Sequence, residues 1–168
     1  MKKLSLPVLL FLVWNLLSSV YTVIPTSAED LGNKIFEAIK QDDFEMIKGL
    51  IVTTDDIIQT INHSDMDEEK KESFKIGLVG KIETDSEKTL QQIEDGFKDI
   101  REVFVSKKCK KGVAMGKITS RTSPIKGFQI GDLEIEFICK EDVGTINVEI
   151  IKTKSDWFIL EKLRLVGG

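Results

Sequence analysis

The chain has 168 residues, with 24 basic and 28 acidic side chains, a formal charge of −4, one His and two Cys. An acidic balance of this kind lacks the phosphate-neutralising surface that nucleic-acid binding requires. One His and two Cys are too few ligands for a zinc site, and the length suits one domain with its own core.

The N-terminus reads as an export address. Lys2 and Lys3 give a basic start, Leu4 to Val13 has Ser5 as its only polar member, and Thr26-Ser27-Ala28 sets small side chains ahead of Glu29 and Asp30. This pattern predicts a signal peptide over 1–28 and a single domain over 29–168. An uncleaved anchor is the alternative, because Leu4 to Ile24 is long enough to cross a bilayer. Pro7, Asn15, Ser18, Ser19 and Thr22 dilute that stretch, and no Cys stands near the cut to accept lipid. Cleavage after Ala28 would remove Lys2 and Lys3 and take the charge from −4 to −6. The expected location is periplasmic or secreted, with no membrane contact once the signal is gone.

The first half reads helical. Leu31, Ile35 and Ile39, widened by Phe36 and Ala38, predict an amphipathic helix over Glu29 to Lys40. Asp42 offers an N-cap with Glu45 three residues on, and Met46, Ile47, Leu50 and Ile51 form the next apolar face. Thr53 or Thr54 can cap a short helix carrying Ile57, Ile58 and Ile61. Ser64 caps a fourth, with Met66, Phe74 and Leu78 apolar and Gly77 and Gly80 weakening its end. Thr84 to Glu102 is the clearest helix, with Leu90, Ile93, Phe97, Ile100 and Phe104 along one face.

The second half changes period. Val113 to Ser120 reads as a strand, and Arg121 to Gly127 as a loop marked by Ser123-Pro124. Phe128 and Ile130 alternate, then Leu133, Ile135, Phe137 and Cys139 alternate with Asp132, Glu134, Glu136 and Ile138. Asp142 to Gly144 is a predicted turn, followed by a strand with Ile146, Val148 and Ile150 inward. Lys154-Ser155-Asp156 turns again into Trp157, Ile159, Leu163 and Leu165, with a bulge at Glu161. Helices first and consecutive strands last predict an α+β fold, with N-terminal helices on one face of a curved antiparallel sheet of about four strands.

In an oxidising compartment, Cys109 and Cys139 read first as a disulfide closing a loop of 30 positions. Two buried thiols or a redox pair are the alternatives, the latter weak without a C-x-x-C.

These pieces together resemble the nuclear-transport-factor-2-like (cystatin-like α+β) superfamily, specifically its uncharacterised exported bacterial members. The stretch Phe36 to Phe44 looks like that group's first helix running into an acidic turn. The ending from Gly144 to Leu165, with Trp157 entering the last strand after a polar turn, looks like its final strand pair. The two stretches cover roughly a quarter of the chain after the cut, and neither is a specific motif. The resemblance implies a cone with a concave pocket between sheet and long helix. It leaves function open, because members include isomerases, dehydratases, small-molecule binders and protein partners.

Candidate chemistry is sparse. The single Tyr, Tyr21, lies in the export segment, and the single His, His63, sits in the polar connection Asn62 to Asp65. Asp65, Asp67 and Glu69 start like a calcium loop, but Lys70 occupies the glycine position and Ile76 the final Glu position. There is no glycine-rich phosphate loop. Lys107, Lys108, Lys110 and Lys111 flank Cys109 and read as a solvated loop, or as a contact for an anionic surface. Asn62-His63-Ser64 is a glycosylation sequon, of meaning only in a eukaryotic secretory pathway. Phe36, Phe97, Phe137 and Trp157 read as core, or as the lining of a ligand pocket.

The reading that follows is an exported, non-catalytic binding or protein-interaction module for an unknown protein or a small apolar ligand. No catalytic residue, metal or cofactor is assigned, and self-pairing into a homodimer stays open. The alternative is a pocket enzyme of isomerase or dehydratase type using carboxylates alone, with Asp55, Asp56 or Asp132 as base.

Overall fold

Capping side chains set where each helix begins. The computed structural model describes residues 24–106, 109, 112–125, 128–140 and 142–167. Most of the predicted signal segment, residues 1–23, and the four lysines around Cys109 lie outside the described residues. Helix α1 spans Ala28–Gln41, and the Ser27 hydroxyl accepts the Asp30 N–H at its start. Asp42 ends α1 with a left-handed backbone, φ 62°, its N–H returning to the last turn. The predicted N-cap role at Asp42 therefore passes to Asp43, which accepts the Met46 N–H and starts the short α2, Phe44–Lys48.

The predicted helical face from Met46 to Ile51 stops early, because Gly49 caps α2. Residues 50–52 turn extended: Val52 N–H donates to the Ile159 carbonyl, and Ile159 N–H donates to the Leu50 carbonyl. Helix α3, Thr54–Asn62, opens on a full capping box between Thr53 and Asp56.

Helix α4 corrects the expectation of two helices. It runs unbroken over 38 residues, Glu68–Val105, with Asp67 rather than Ser64 as N-cap. Gly77 and Gly80 lie where an added Cβ would meet nothing. Each costs about 1 kcal/mol relative to Ala, which long flanking stretches of good helix formers offset. At 1.5 Å per residue the helix is about 57 Å long, long enough to pass one end of the sheet and reach the other.

Four antiparallel strands follow in sequential order: β1 Ala114–Ile125, β2 Phe128–Cys139, β3 Asp142–Lys152 and β4 Trp157–Val166. The fold is α+β, as composition and pattern predict. Strand β1 takes in residues 121–125 of the predicted Arg121–Gly127 loop, pairing Arg121 with Asp132 and Pro124 with Gln129, and the last two residues of that loop lie outside the described residues. It is an edge strand, and Pro can occupy an edge because no ladder bond is demanded from its missing N–H. The turn expected at Asp142 to Gly144 lies ahead of those residues, since all three are paired in β3 with Cys139, Ile138 and Phe137, and Lys140 before them takes the left-handed conformation. The bulge expected at Glu161 is present as register shifts around Glu149, with Lys162 at φ 54°. Cys109 and Cys139 form a disulfide, both buried, tying the chain beyond α4 to the end of β2.

The helices cover both faces of the sheet rather than one. Leu133, Ile135, Phe137, Ile146, Val148, Ile159 and Leu163 form a first core with α1, α2 and the C-terminal half of α4, through Ile93, Phe97, Ile100 and Phe104. Side chains of the opposite parity, Phe128, Ile130, Ile151, Phe158 and Leu160, form a second core on the other face. Ile57 and Ile61 of α3 and Phe74, Leu78 and Ile82 of α4 cover it. The long helix therefore crosses the β4 edge. Gly96 marks its closest approach, where a Cβ would stand 1.6 Å from the Leu163 carbonyl oxygen.

Candidate functional site: a groove at the helix–strand crossing

Between Ile82 and Ile93 helix α4 belongs to neither core. That stretch is polar apart from Leu90, so nothing draws it down onto the sheet while it passes from one face to the other. Opposite it, β4 bulges at Leu160 to Lys162, and residues 51–53 run along the same edge. The gap between them is a groove of about 710 Å³.

Its floor is apolar: Ile51, Val52, Leu78, Ile82, Leu90, Ile130 and Leu160. All but Val52 remain partly or well exposed, and Leu90 keeps 37% of its surface open. The mouth is charged, with Lys48, Lys81, Asp85, Glu149, Glu161 and Lys162, and Thr53, Ser86 and Thr89 add hydroxyls. Two ion pairs organise that mouth. Lys81 Nζ lies 3.3 Å from Glu161, joining α4 to β4, and Lys162 Nζ lies 3.3 Å from Glu149, joining β4 to β3. The left-handed backbone at Lys162 belongs to the bulge that turns this stretch of β4 out of register.

A volume of this size, an apolar floor and a few polar groups at the edge match the usual character of small-molecule sites. The rim charges are largely paired with each other, so the floor is free to take uncharged, elongated apolar matter without leaving a lone buried ion.

The residues singled out in the sequence fall elsewhere. Asp55 is exposed in the first turn of α3, Asp56 is committed to its capping box with Thr53, and Asp132 is exposed on the sheet. None of the three lines the groove. His63 closes the C-terminal end of α3, its Nδ1 hydrogen-bonded to the Gln59 carbonyl at 2.7 Å. Asp65, Asp67 and Glu69 are exposed around the start of α4, where Asp67 accepts the Lys70 N–H. Lys70 also donates its ammonium to that carboxylate, and these bonds hold the Asp67 carboxyl below its ordinary range. Among the described residues, no group of His, Cys, Asp and Glu is placed to hold a metal ion.

The four aromatics named as core or pocket lining are all in the first core. Phe36, Phe104 and Phe137 form a chain of tilted ring contacts, with centroids 5.7 and 5.0 Å apart. Around these rings the space between the sheet and the C-terminal half of α4, where the resemblance placed a pocket, is filled with side chains, and it opens at the far end of the helix. A second depression of about 650 Å³ lies beside the disulfide, between Val103, Phe137 and Leu165.

Of the apolar groove residues, the sequence pattern identifies Ile51, Leu78, Leu90 and Ile130 only as helix or strand positions, and it does not single out Val52, Ile82 or Leu160. Two signals pointed to them. The apolar phase in β2 switches parity between Ile130 and Leu133, and α4 carries a polar interval between Ile82 and Ile93.

Compared with known proteins, the chain matches no family model, and no curated protein and no solved structure matches it. No helix among the described residues is long and apolar enough to cross a membrane.

Proposed function

We propose that the chain is an exported, non-catalytic binding domain of the nuclear-transport-factor-2-like kind, which takes a small, elongated apolar ligand in the groove between α4 and the β4 bulge. The observation that carries this reading is the groove itself: about 710 Å³ of space over a partly exposed floor of Leu78, Ile82, Leu90, Ile130 and Leu160. Leaving such side chains partly in water forgoes about 25 cal/mol per Å² of exposed apolar surface, which a bound apolar molecule recovers. Export rests on the basic and apolar start of the chain and is supported by the disulfide, which persists in oxidising compartments.

Carboxylate catalysis is the weaker reading. Of the three carboxylates at the mouth, Glu149 and Glu161 are already engaged with Lys162 and Lys81, which leaves Asp85 without a second uncommitted acid in the groove, and Asp55, Asp56 and Asp132 stand away from it.

The test is titration with N-phenyl-1-naphthylamine, a neutral probe that brightens in apolar surroundings. Saturable brightening is expected, together with a rise in melting temperature at saturating probe by linkage. Leu90→Glu should abolish the brightening while changing stability by less than about 0.5 kcal/mol, as is usual for an exposed position. A flat titration, or uptake unchanged in Leu90→Glu, would remove the groove from consideration.

A further inference from the structure

The sequence alone places the export cut after Ala28, yet residues 25–28 are built into the folded domain. Pro25 is buried, and its carbonyl accepts the Trp157 N–H at 2.9 Å, pairing the outer edge of β4 at its first residue. The Ser27 hydroxyl accepts the Asp30 N–H at 3.0 Å, and the Ser27 carbonyl accepts the Leu31 N–H at 3.0 Å. Ala28 is the first residue of α1, only 9% exposed, and belongs to the first core.

A chain beginning at Glu29 would lose all of these contacts at once. Trp157 N–H would lose its protein acceptor, and α1 would lose its cap. A new α-ammonium would stand at the positive end of the helix dipole, where cations are disfavoured.

We infer that Thr26-Ser27-Ala28 is the start of helix α1 and not the processing site, so the exported chain keeps residues 25–28. The inference rests on the export reading. Processing is hydrolysis of one peptide bond by the export peptidase: water adds its hydroxyl to the carbonyl carbon and its hydrogen to the leaving nitrogen. Ser18, Ser19 and Thr22 supply smaller side chains upstream for that cut.

The full chain is expressed in a bacterial host, cells are fractionated, and the recovered protein is read by intact mass and N-terminal sequencing. A first residue at or before Pro25 in the envelope or medium is expected. A Met1 start in the membrane fraction also keeps residues 25–28 and supports the inference. A Glu29 start in the envelope or medium overturns it while leaving the export reading standing. A Met1 start confined to the cytosol overturns the export reading, and this inference with it. Thr26→Lys adds an independent arm. Thr26 is exposed, so the fold tolerates the change, while a charge three residues before the Ala28–Glu29 bond blocks peptidase there. The variant should be processed and exported like the parent; accumulation of uncut variant where the parent is cut would overturn the inference.

Discussion

The two faces of the sheet are covered by the two halves of one helix, and they are covered unequally. On the first face Ile93, Phe97 and Ile100 meet Ile135, Val148 and Leu163, all nearly or fully buried. On the second face Phe74, Leu78, Val79 and Ile82 meet Ile130 and Leu160, and every one of these stays partly exposed. Among the described residues, the first face has α1, α2 and the disulfide to seal it, whereas the second has only short α3 beside the helix. The difference separates two roles that compete in small domains. Packing on the first face carries the stability, and the incomplete cover of the second leaves apolar surface for a ligand.

The sharpest way to break this comparison is at the crossing point. Gly96→Leu forces a side chain into the Leu163 backbone, and a strand carbonyl held in its ladder cannot step aside. The loss should exceed the roughly 3 kcal/mol common for overpacking, measured as a collapse of the urea midpoint. A normal midpoint would mean that α4 does not cross β4 as closely as described. Next in size is reduction of Cys109–Cys139, which closes a loop of 30 positions at the first core. Reduction should cost about 3–4 kcal/mol in the chain-entropy model, read by denaturant titration with and without reductant. Probe uptake by the chain that remains folded should persist.

Paired truncations test the inequality directly. Ile100→Ala in the first core should cost about 3 kcal/mol, within the usual range for a fully buried Ile. Ile82→Ala in the second core should cost less, about 1–2 kcal/mol, because part of its side chain stays in water and the site is not a closed cavity. Equal losses in urea unfolding would erase the distinction between the two faces.

Much of the fold was legible because local chemistry and global architecture agree. The β2 and β3 alternations, the Thr53 cap and the bulge near Glu161 follow from side-chain period and turn chemistry. The misreadings share one cause: tertiary context overrode a local signal. Gly77 and Gly80 suggested a helix end, but packing of Phe74, Leu78 and Ile82 on the second face carries the helix through. Pro124 suggested a loop, but β1 is an edge strand that tolerates it. Asp42 had the composition of a cap for the following helix, and the left-handed backbone that ends α1 claimed it first. The groove was the least legible feature, since it arises where two segments distant in sequence fail to touch. Neither the polar interval in α4 nor the bulge in β4 implies the other.

The smallest expected effect concerns pH, and it bears on the half of α4 that covers the second core. Asp67 caps that helix, and the Lys70 side chain and N–H hold its carboxyl below the ordinary range. A carboxyl depressed in the folded state contributes stability that is fully present above its unfolded value, about 3.9, and is lost as pH falls through the folded value. Acidification below the ordinary Asp range should therefore fray the start of α4 first. Hydrogen exchange should rise for amides of residues 70–82 before it rises for residues 93–104, which the first core holds. Asp67→Asn keeps a capping oxygen but cannot ionise, so the acid-dependent part of this fraying should vanish in that variant. Exchange that rises together along the whole helix would mean that α4 opens as one unit, and that the two cores are not separable in stability.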